Sequence, residues 1–335
     1  MKKISLLLLL LTFLACVDNH EIKIEKENIS GTIFSDTLFA EMPGRFLSND
    51  RFLVWGNVFS QKNFLHILDI KNGKELAAVG KIGKEPNEFV TPSIEYIFEN
   101  NIFIHDLNGT RDALLNIDSV LVGNYSPKFS SHKDDKELIL NHVQIDSITT
   151  IAHKPENEKI FEIKKREKTI SFGKPIFKKK INNAYDTFQG PIGYNPSREI
   201  FVYSNSKFPY MAIYKKKGNS FDLKYETGIP ENPEFTKRGF KRDKKRRGIS
   251  SMTFTLDYIV CYQRDYSVDN QDESKVGRNF LKCSKTLFLY DYKGTLKKIV
   301  NLGYPVLRIT ANFDSNTLYA IIIVNDEFRI AKYQL

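Results

Sequence analysis

The chain has 335 residues, 41% of them hydrophobic and 27% charged, which is the balance of a globular protein rather than a disordered one. Its formal net charge of +10 comes largely from lysine spread along the chain, which suits solubility and attraction to anionic head groups or glycans. The three cysteines include no CxxC pair, so no zinc-site spacing is present.

The chain opens MKKISLLLLLLTFLACVDNH. Lys2 and Lys3 form a positive region, and Ile4 to Leu14 form an apolar core too short to span a bilayer comfortably. Ala15 followed by Cys16 resembles the lipobox of bacterial lipoproteins, although Phe13 and Leu14 depart from its usual leucine and small residue. The resemblance implies that Cys16 is lipidated and becomes the mature N-terminus, held in the membrane by more than one acyl chain. An ordinary cleaved signal and an N-terminal anchor helix are the alternatives. Residues 1–15 are therefore expected to be a signal peptide, 16–30 a tether and closing segment, and 31–335 the folded body. That body exceeds the usual single-core size unless the fold is modular or barrel-like.

Strand-like runs then recur along the chain, each bounded by Asn, Asp, Gly or Ser. One set reads RFLVWGN from Arg51, NIFIHDLN from Asn101, TTIAHKPE from Thr149, EIFVYSNS from Glu199, DYIVCYQR from Asp257 and TLYAIIIV from Thr317. Each is followed by a second run, such as FLHILDIKNGKEL in the first unit and TLFLYDYKGTLKK in the fifth. Asn72-Gly73 and Lys293-Gly294 supply the positive φ that tight strand turns require. The spacing of about 50 to 60 residues lies near the kelch range. Six units of about four short strands, with almost no helical periodicity, predict an all-β fold, a six-bladed β-propeller of four-stranded antiparallel blades. A pair of β-sandwiches or a solenoid is the alternative. The last unit, ending FRIAKYQL, shows only three strands. The segment KIEKENISGTIFSD from Lys23 has strand character and no unit of its own. It is expected to pair onto the last blade and close the ring, which removes two exposed sheet edges.

GKIGKEPNEFVTP, Gly80 to Pro92, lies between the outer strand KELAAVG of the first unit and the inner strand SIEYIF of the second. A phosphate-binding loop would open a helix carrying Lys-Ser or Lys-Thr, and Pro92 opposes one, so the stretch reads as an inter-blade crossing. Gly80 and Gly83 permit tight bends, Glu85-Pro86 sets a turn, and Phe89 is expected to fill the wedge between blades. Together with EMPGRFLSNDRFLVWGN before it, the stretch resembles the first blade and crossing of TolB-like six-bladed propeller lipoproteins. That family's crossing is of the type G-x-G-P-G-E-F followed by proline. Gly83, Pro86, Glu88, Phe89 and Pro92 match it, while Glu85 and Asn87 stand at two customary glycines. SSMTFTLDYIVCYQRD from Ser250 is similar to the family's fifth-blade inner strands. The resemblance implies a cell-envelope propeller and supplies no catalytic residues.

His66, His105 and His153 fall within strands and read as core or cross-strand hydrogen-bonding groups, with His105 and Asp106 on opposite faces. No HExxH, GxSxG or EF-hand loop is present, so no catalytic residue, metal ligand or cofactor is assigned. DNQDES from Asp269 reads as a solvated loop. Cys261 and Cys283 flank it and read as two separately buried thiols, with a bridge as the alternative. Tyr194, Tyr203, Tyr210 and Tyr214 gather in the fourth unit, either as packing between blades or as platforms for sugar stacking.

The stretch TKRGFKRDKKRRG, Thr236 to Gly248, sets eight cations against Asp243, with Phe235 and Phe240 offering apolar contact. Lys241, Arg242, Lys244, Lys245, Arg246 and Arg247 are the candidate ligand contacts, suited to lipid phosphates, acidic polysaccharide or an acidic protein. A solvated loop without a ligand is the bland alternative, and nucleic acid is set aside for an exported chain. The expectation is an envelope lipoprotein anchored through Cys16 at the outer membrane, with its periplasmic or surface orientation open. Its propeller serves as a binding or scaffolding module for an envelope protein or anionic polysaccharide. A hydrolase or lyase acting on glycan at the channel mouth is the runner-up, and a structural subunit of an outer-membrane assembly is the third reading.

Overall fold

The computed structural model describes residues 24–335 apart from 36, 58, 61, 110, 132–138, 179–180, 238, 242–245 and 266–282, with the backbone alone at 246, 264 and 265. Cys16, Arg242, Lys244, Lys245 and the DNQDES loop lie outside the described residues.

Six sheets of four antiparallel strands form the blades, and the runs recognised in sequence are their second and third strands. The first blade shows the pattern, with strands Phe46–Ser48, Phe52–Gly56, Leu65–Asp69 and Glu75–Val79 in spatial order. The inner strands of the blades, in order, are Phe46–Ser48, Pro92–Phe98, His142–Asp146, Ile192–Asn195, Arg246–Phe254 and Val306–Ala311. Each contacts the inner strands before and after it, and the sixth contacts the first, so the ring is closed.

Closure comes from the N-terminal segment, as the missing strand of the last unit requires. Thr32–Ile33 is the fourth strand of the sixth blade, with Thr32 opposite Lys332 and Ile33 opposite Ala331. The segment does more than the sequence suggests. Its first half, Glu25–Asn28, adds a parallel fifth strand to the fifth blade beside Leu296–Asn301, so two blade edges are covered instead of one. Gly31 joins the two halves where a Cβ would stand 2.4 Å from the Tyr333 ring, an approach only glycine permits.

Because side chains alternate along a strand, each blade offers one row to the wedge on either side. Apolar rows fill five of the wedges. Val54 and Ile104 belong to the cluster between the first and second blades, Trp55 and Ile321 to that between the sixth and first, and Val260 and Val306 to that between the fifth and sixth. The fourth blade packs on the third through Phe161, Phe201, Tyr203 and Tyr214, and on the fifth through Val202 and Cys261. Ring centroids of Phe161 lie 4.8 Å from Phe201 and 5.7 Å from Tyr214 in edge-on geometry, so the tyrosines of this blade are packing groups. Cys261 and Cys283 are separate buried thiols, and burial raises the Cys261 pKa well above the ordinary thiol range.

The Gly80–Pro92 crossing is a structural joint. Phe89 is fully buried, its ring centroid 5.2 Å from those of Phe64 and Phe129. Gly80 takes φ +82, and a Cβ there would run into the Phe64 ring. Pro86 holds the second position of a turn closed by the Glu88 N–H on the Glu85 carbonyl at 3.0 Å. Asp106 receives the N–H groups of Val90 and Thr91 at 2.8 and 2.6 Å, so its carboxylate belongs to the backbone, on the face away from His105.

Candidate functional site

In such a ring, every connection from an outer strand to the next inner strand emerges at the end where the inner strands begin. That end carries the Gly80–Pro92 crossing, the short helix Ala184–Thr187 and, from the basic stretch before the fifth blade, the described residues around Lys241 and Arg247. A small hairpin of Phe235–Thr236 and Gly239–Phe240 packs on that helix, and Phe240 stands 4.7 Å from Phe208 and 5.9 Å from Phe235 between ring centroids. Phe235 and Phe240 therefore anchor the stretch to the core. Of the candidate cations, Lys241 is exposed and paired with Glu234, while Arg246 and Arg247 open the fifth blade's inner strand.

The inner strands bring to this end residues that are isolated in sequence. Arg308 of the sixth blade donates from Nε to the Gly44 carbonyl at 2.8 Å and from Nη1 to the Leu307 carbonyl at 2.9 Å. Arg45 of the first blade pairs with the Glu95 carboxylate of the second at 3.0 Å, and donates to the Glu95 carbonyl at 3.3 Å. Its Nη2 also reaches Asn141 Oδ1 at 3.5 Å, and Asn141 donates to the Gly190 carbonyl at 2.9 Å. One polar chain thus runs from the sixth blade through the first, second and third toward the fourth.

Three β-bulges place charged residues of the inner strands. Glu95 is the extra residue between the paired positions Ile94 and Tyr96, Arg247 lies in the shift between Arg246 and Ile249, and Arg308 follows the shift after Val306. A bulge breaks the alternation of faces and re-aims the side chain beside it, and bulges recur next to functional sites.

The wedge between the second and third blades differs from the others. Among the described residues no apolar cluster spans it. Ser93, His105 and Asp112 form one cross-strand row on the second blade, and His142, Ala152 and Glu162 form one on the third. His105 Nδ1 lies 2.7 Å from Asp112, and this hydrogen bond raises the His105 pKa. Burial lowers that of His142, whose charged neighbours include Glu95, His105 and Asp112. Lys154, buried at the edge of the seam, reaches Glu162 at 2.8 Å. The seam thus holds two histidines whose proton affinities are driven apart.

At the opposite end of the ring, a groove of about 760 Å³ lies between the hairpins of the third and fourth blades. Lys165, Arg166, Lys168 and Lys216 rim it around Ile163 and Phe221. Among the described residues no group of three His, Cys, Asp or Glu is placed to hold a metal ion.

No family model matches the sequence, and no curated relative does. Among solved structures, the chain is similar to a Bacteroides fragilis protein described as exported, at 11% identity and TM-score 0.56, over 92% of this chain and 98% of that one. It is also similar to a calcium-binding protein, regucalcin, from Agrobacterium tumefaciens, at 10% identity and TM-score 0.51, over 92% and 96% of the two chains. Identities this low speak for the fold alone, and with the closed ring of inner strands they make the chain a six-bladed β-propeller.

Proposed function

We propose that the protein is a TolB-like, lipid-anchored propeller of the bacterial cell envelope that binds an anionic glycan or an acidic protein partner. Export is supported by the apolar leader and Cys16, and by the likeness to a protein described as exported. Lipidation of Cys16 would hold the ring at the outer membrane. The observation that carries the binding reading is the convergence of Arg45, Lys241, Arg247 and Arg308 on the end where the inner strands begin. A concentration of one sign of charge at a concave ring end raises the local concentration of an opposite charge. The fold supplies rigidity and the crossings supply contact.

The test is association of polygalacturonate with the full chain at low and moderate salt. Binding is expected to weaken with salt. It is expected to fall at least about tenfold when Lys241, Arg242, Lys244, Lys245, Arg246 and Arg247 become Gln, since each cation near an anionic surface contributes about 1 kcal/mol. Binding that ignores both changes would overturn the reading.

A second reading, a glycan-active hydrolase or lyase, draws on the His105–Asp112 and His142–Glu95 grouping in the seam between the second and third blades. It requires turnover of an acidic oligosaccharide by the native chain, lost in Glu95→Gln. Binding without turnover would leave the module reading alone.

A further inference from the structure

Arg308 is a guanidinium set on the innermost strand of the ring, only partly exposed, and satisfied by carbonyls alone. Of its five N–H groups, one on Nε and one on Nη1 are used. Among the described residues, both N–H groups on Nη2 and the second on Nη1 have no hydrogen-bond acceptor and no carboxylate pairs with the guanidinium. Burial lowers its pKa, the neighbouring Tyr262 and Cys283 oppose that shift, and the Arg45 charge adds to it. The only carboxylate in this chain of contacts, Glu95, is engaged by Arg45 on its far side. A half-buried cation with no counter-charge among the described residues is unfavourable by itself, and a ligand's charge can supply what is missing.

The surroundings have the form of a built site. The bulge after Val306 turns Arg308 out of the alternating rows, and the Gly44 and Leu307 carbonyls fix the guanidinium plane. Arg45 is held in place by Glu95 and Asn141, so a second cation stands ready without rearrangement. Fixed, fork-shaped donors with unused N–H groups match the paired oxygens of a carboxylate or phosphate.

We propose that the Arg308 guanidinium, with Arg45 beside it, is a receptor for one oxoanion group, a carboxylate or phosphate, carried by the ligand at the channel mouth. The inference rests on the binding-module reading and deepens it. The basic stretch attracts a polyanion from a distance, and Arg308 takes hold of a single group at the axis.

The experiment is thermal melting of the full chain with inorganic phosphate, and separately with galacturonate, each against sodium chloride of equal ionic strength. A ligand bound only by the folded form raises Tm. At least one of the two anions is expected to raise Tm above the chloride control, and the rise is expected to vanish in Arg308→Gln. Phosphate alone would point to a phosphorylated head group, and galacturonate alone to an acidic sugar. Without anion, Arg308→Gln is expected to melt no lower than the native chain, because the substitution removes an uncompensated charge. Should that variant fail to fold, Arg308→Lys keeps the charge without the fork and is expected to bind at least about tenfold more weakly. No rise over chloride in the native chain, or an equal rise in either variant, would overturn the proposal. Polygalacturonate binding that still depends on the basic stretch would then leave the module reading standing.

Discussion

Arg111 of the second blade and Pro86 of the first crossing are joined by a 2.7 Å hydrogen bond from Nη1 to the Pro86 carbonyl. The same guanidinium donates to the carbonyls of Glu88 at 2.6 Å and Glu85 at 3.2 Å, and lies 3.9 Å from the centroid of the Phe129 ring. One side chain thus gathers three carbonyls of a loop whose own backbone pairing is the single Ile82–Phe89 bridge. Charge-assisted hydrogen bonds contribute about 1.5–3 kcal/mol each at most, and a cation over an aromatic face about 0.5–2 kcal/mol. Arg111→Ala is expected to lower stability by about 2–4 kcal/mol in denaturant unfolding, and Arg111→Lys by less. A loss within about 0.5 kcal/mol, the usual range for a surface change, would mean that the crossing holds itself.

The closing segment makes a second prediction. Removing residues 24–34 uncovers the outer edges of both the fifth and the sixth blades. The shortened chain is expected to unfold at lower denaturant concentration and to self-associate through its bared strands, as sedimentation would show. Gly31→Val is a milder probe, since its side chain must displace the Tyr333 ring. A monomeric, equally stable truncation would show that the ring closes without this segment.

The third prediction concerns acid. His153 is fully buried against Phe161 and Tyr203, neither ring nitrogen has a hydrogen-bond partner among the described residues, and burial lowers its pKa to about 3. Its folded pKa lies below the unfolded value, so the unfolded chain takes up more protons in acid. The stability tied to a neutral His153 is therefore complete above about pH 6.5 and is lost as pH falls toward 3. At pH 5 the loss relative to pH 7 is about 2 kcal/mol. His142, lowered by burial, acts in the same direction, and His105, raised by Asp112, acts in the opposite one. His153→Phe is expected to flatten the decline between pH 7 and 5 by about that amount while leaving stability at pH 7 unchanged or higher. An unchanged decline would place the acid sensitivity elsewhere.

Lipid anchoring gives the fourth. Expressed from its own leader, the chain is expected to sediment with membranes and to incorporate labelled fatty acid. Cys16→Ser is expected to abolish both. A soluble native chain, or a labelled serine variant, would remove the lipoprotein part of the reading.

Much of the architecture was legible because it is written in local chemistry. The second strands of the blades hold β-branched or aromatic runs such as FLVWG and TLYAIIIV, and in the first, fourth and fifth blades the turn between the third and fourth strands carries Asn72-Gly73, Lys217-Gly218 or Lys293-Gly294. Phe89 was recognisable as a wedge because a phenylalanine following two glycines and a proline turn has nowhere polar to go. The split pairing of residues 25–33 was not legible, since a short exposed strand such as EKEN has no pattern that names its partner. The site was less visible still. Arg45, Glu95, Asn141 and Arg308 are unremarkable singletons spread over four blades, and only ring closure gathers them. The bulges that aim Glu95 and Arg308 come from strand pairing, which a sequence does not display. The basic stretch stood out in the sequence because its charges are consecutive, and its last two members, Arg246 and Arg247, open the fifth blade's inner strand.

The most direct test of the binding account is the affinity of the full chain for polygalacturonate, measured at low and moderate salt beside the variant neutral at Lys241, Arg242 and Lys244 to Arg247. Salt-sensitive binding that falls at least about tenfold in the variant is the expected result. Binding of equal strength in both chains, or none to the native chain under low salt, would contradict an anion-binding role for this end of the ring.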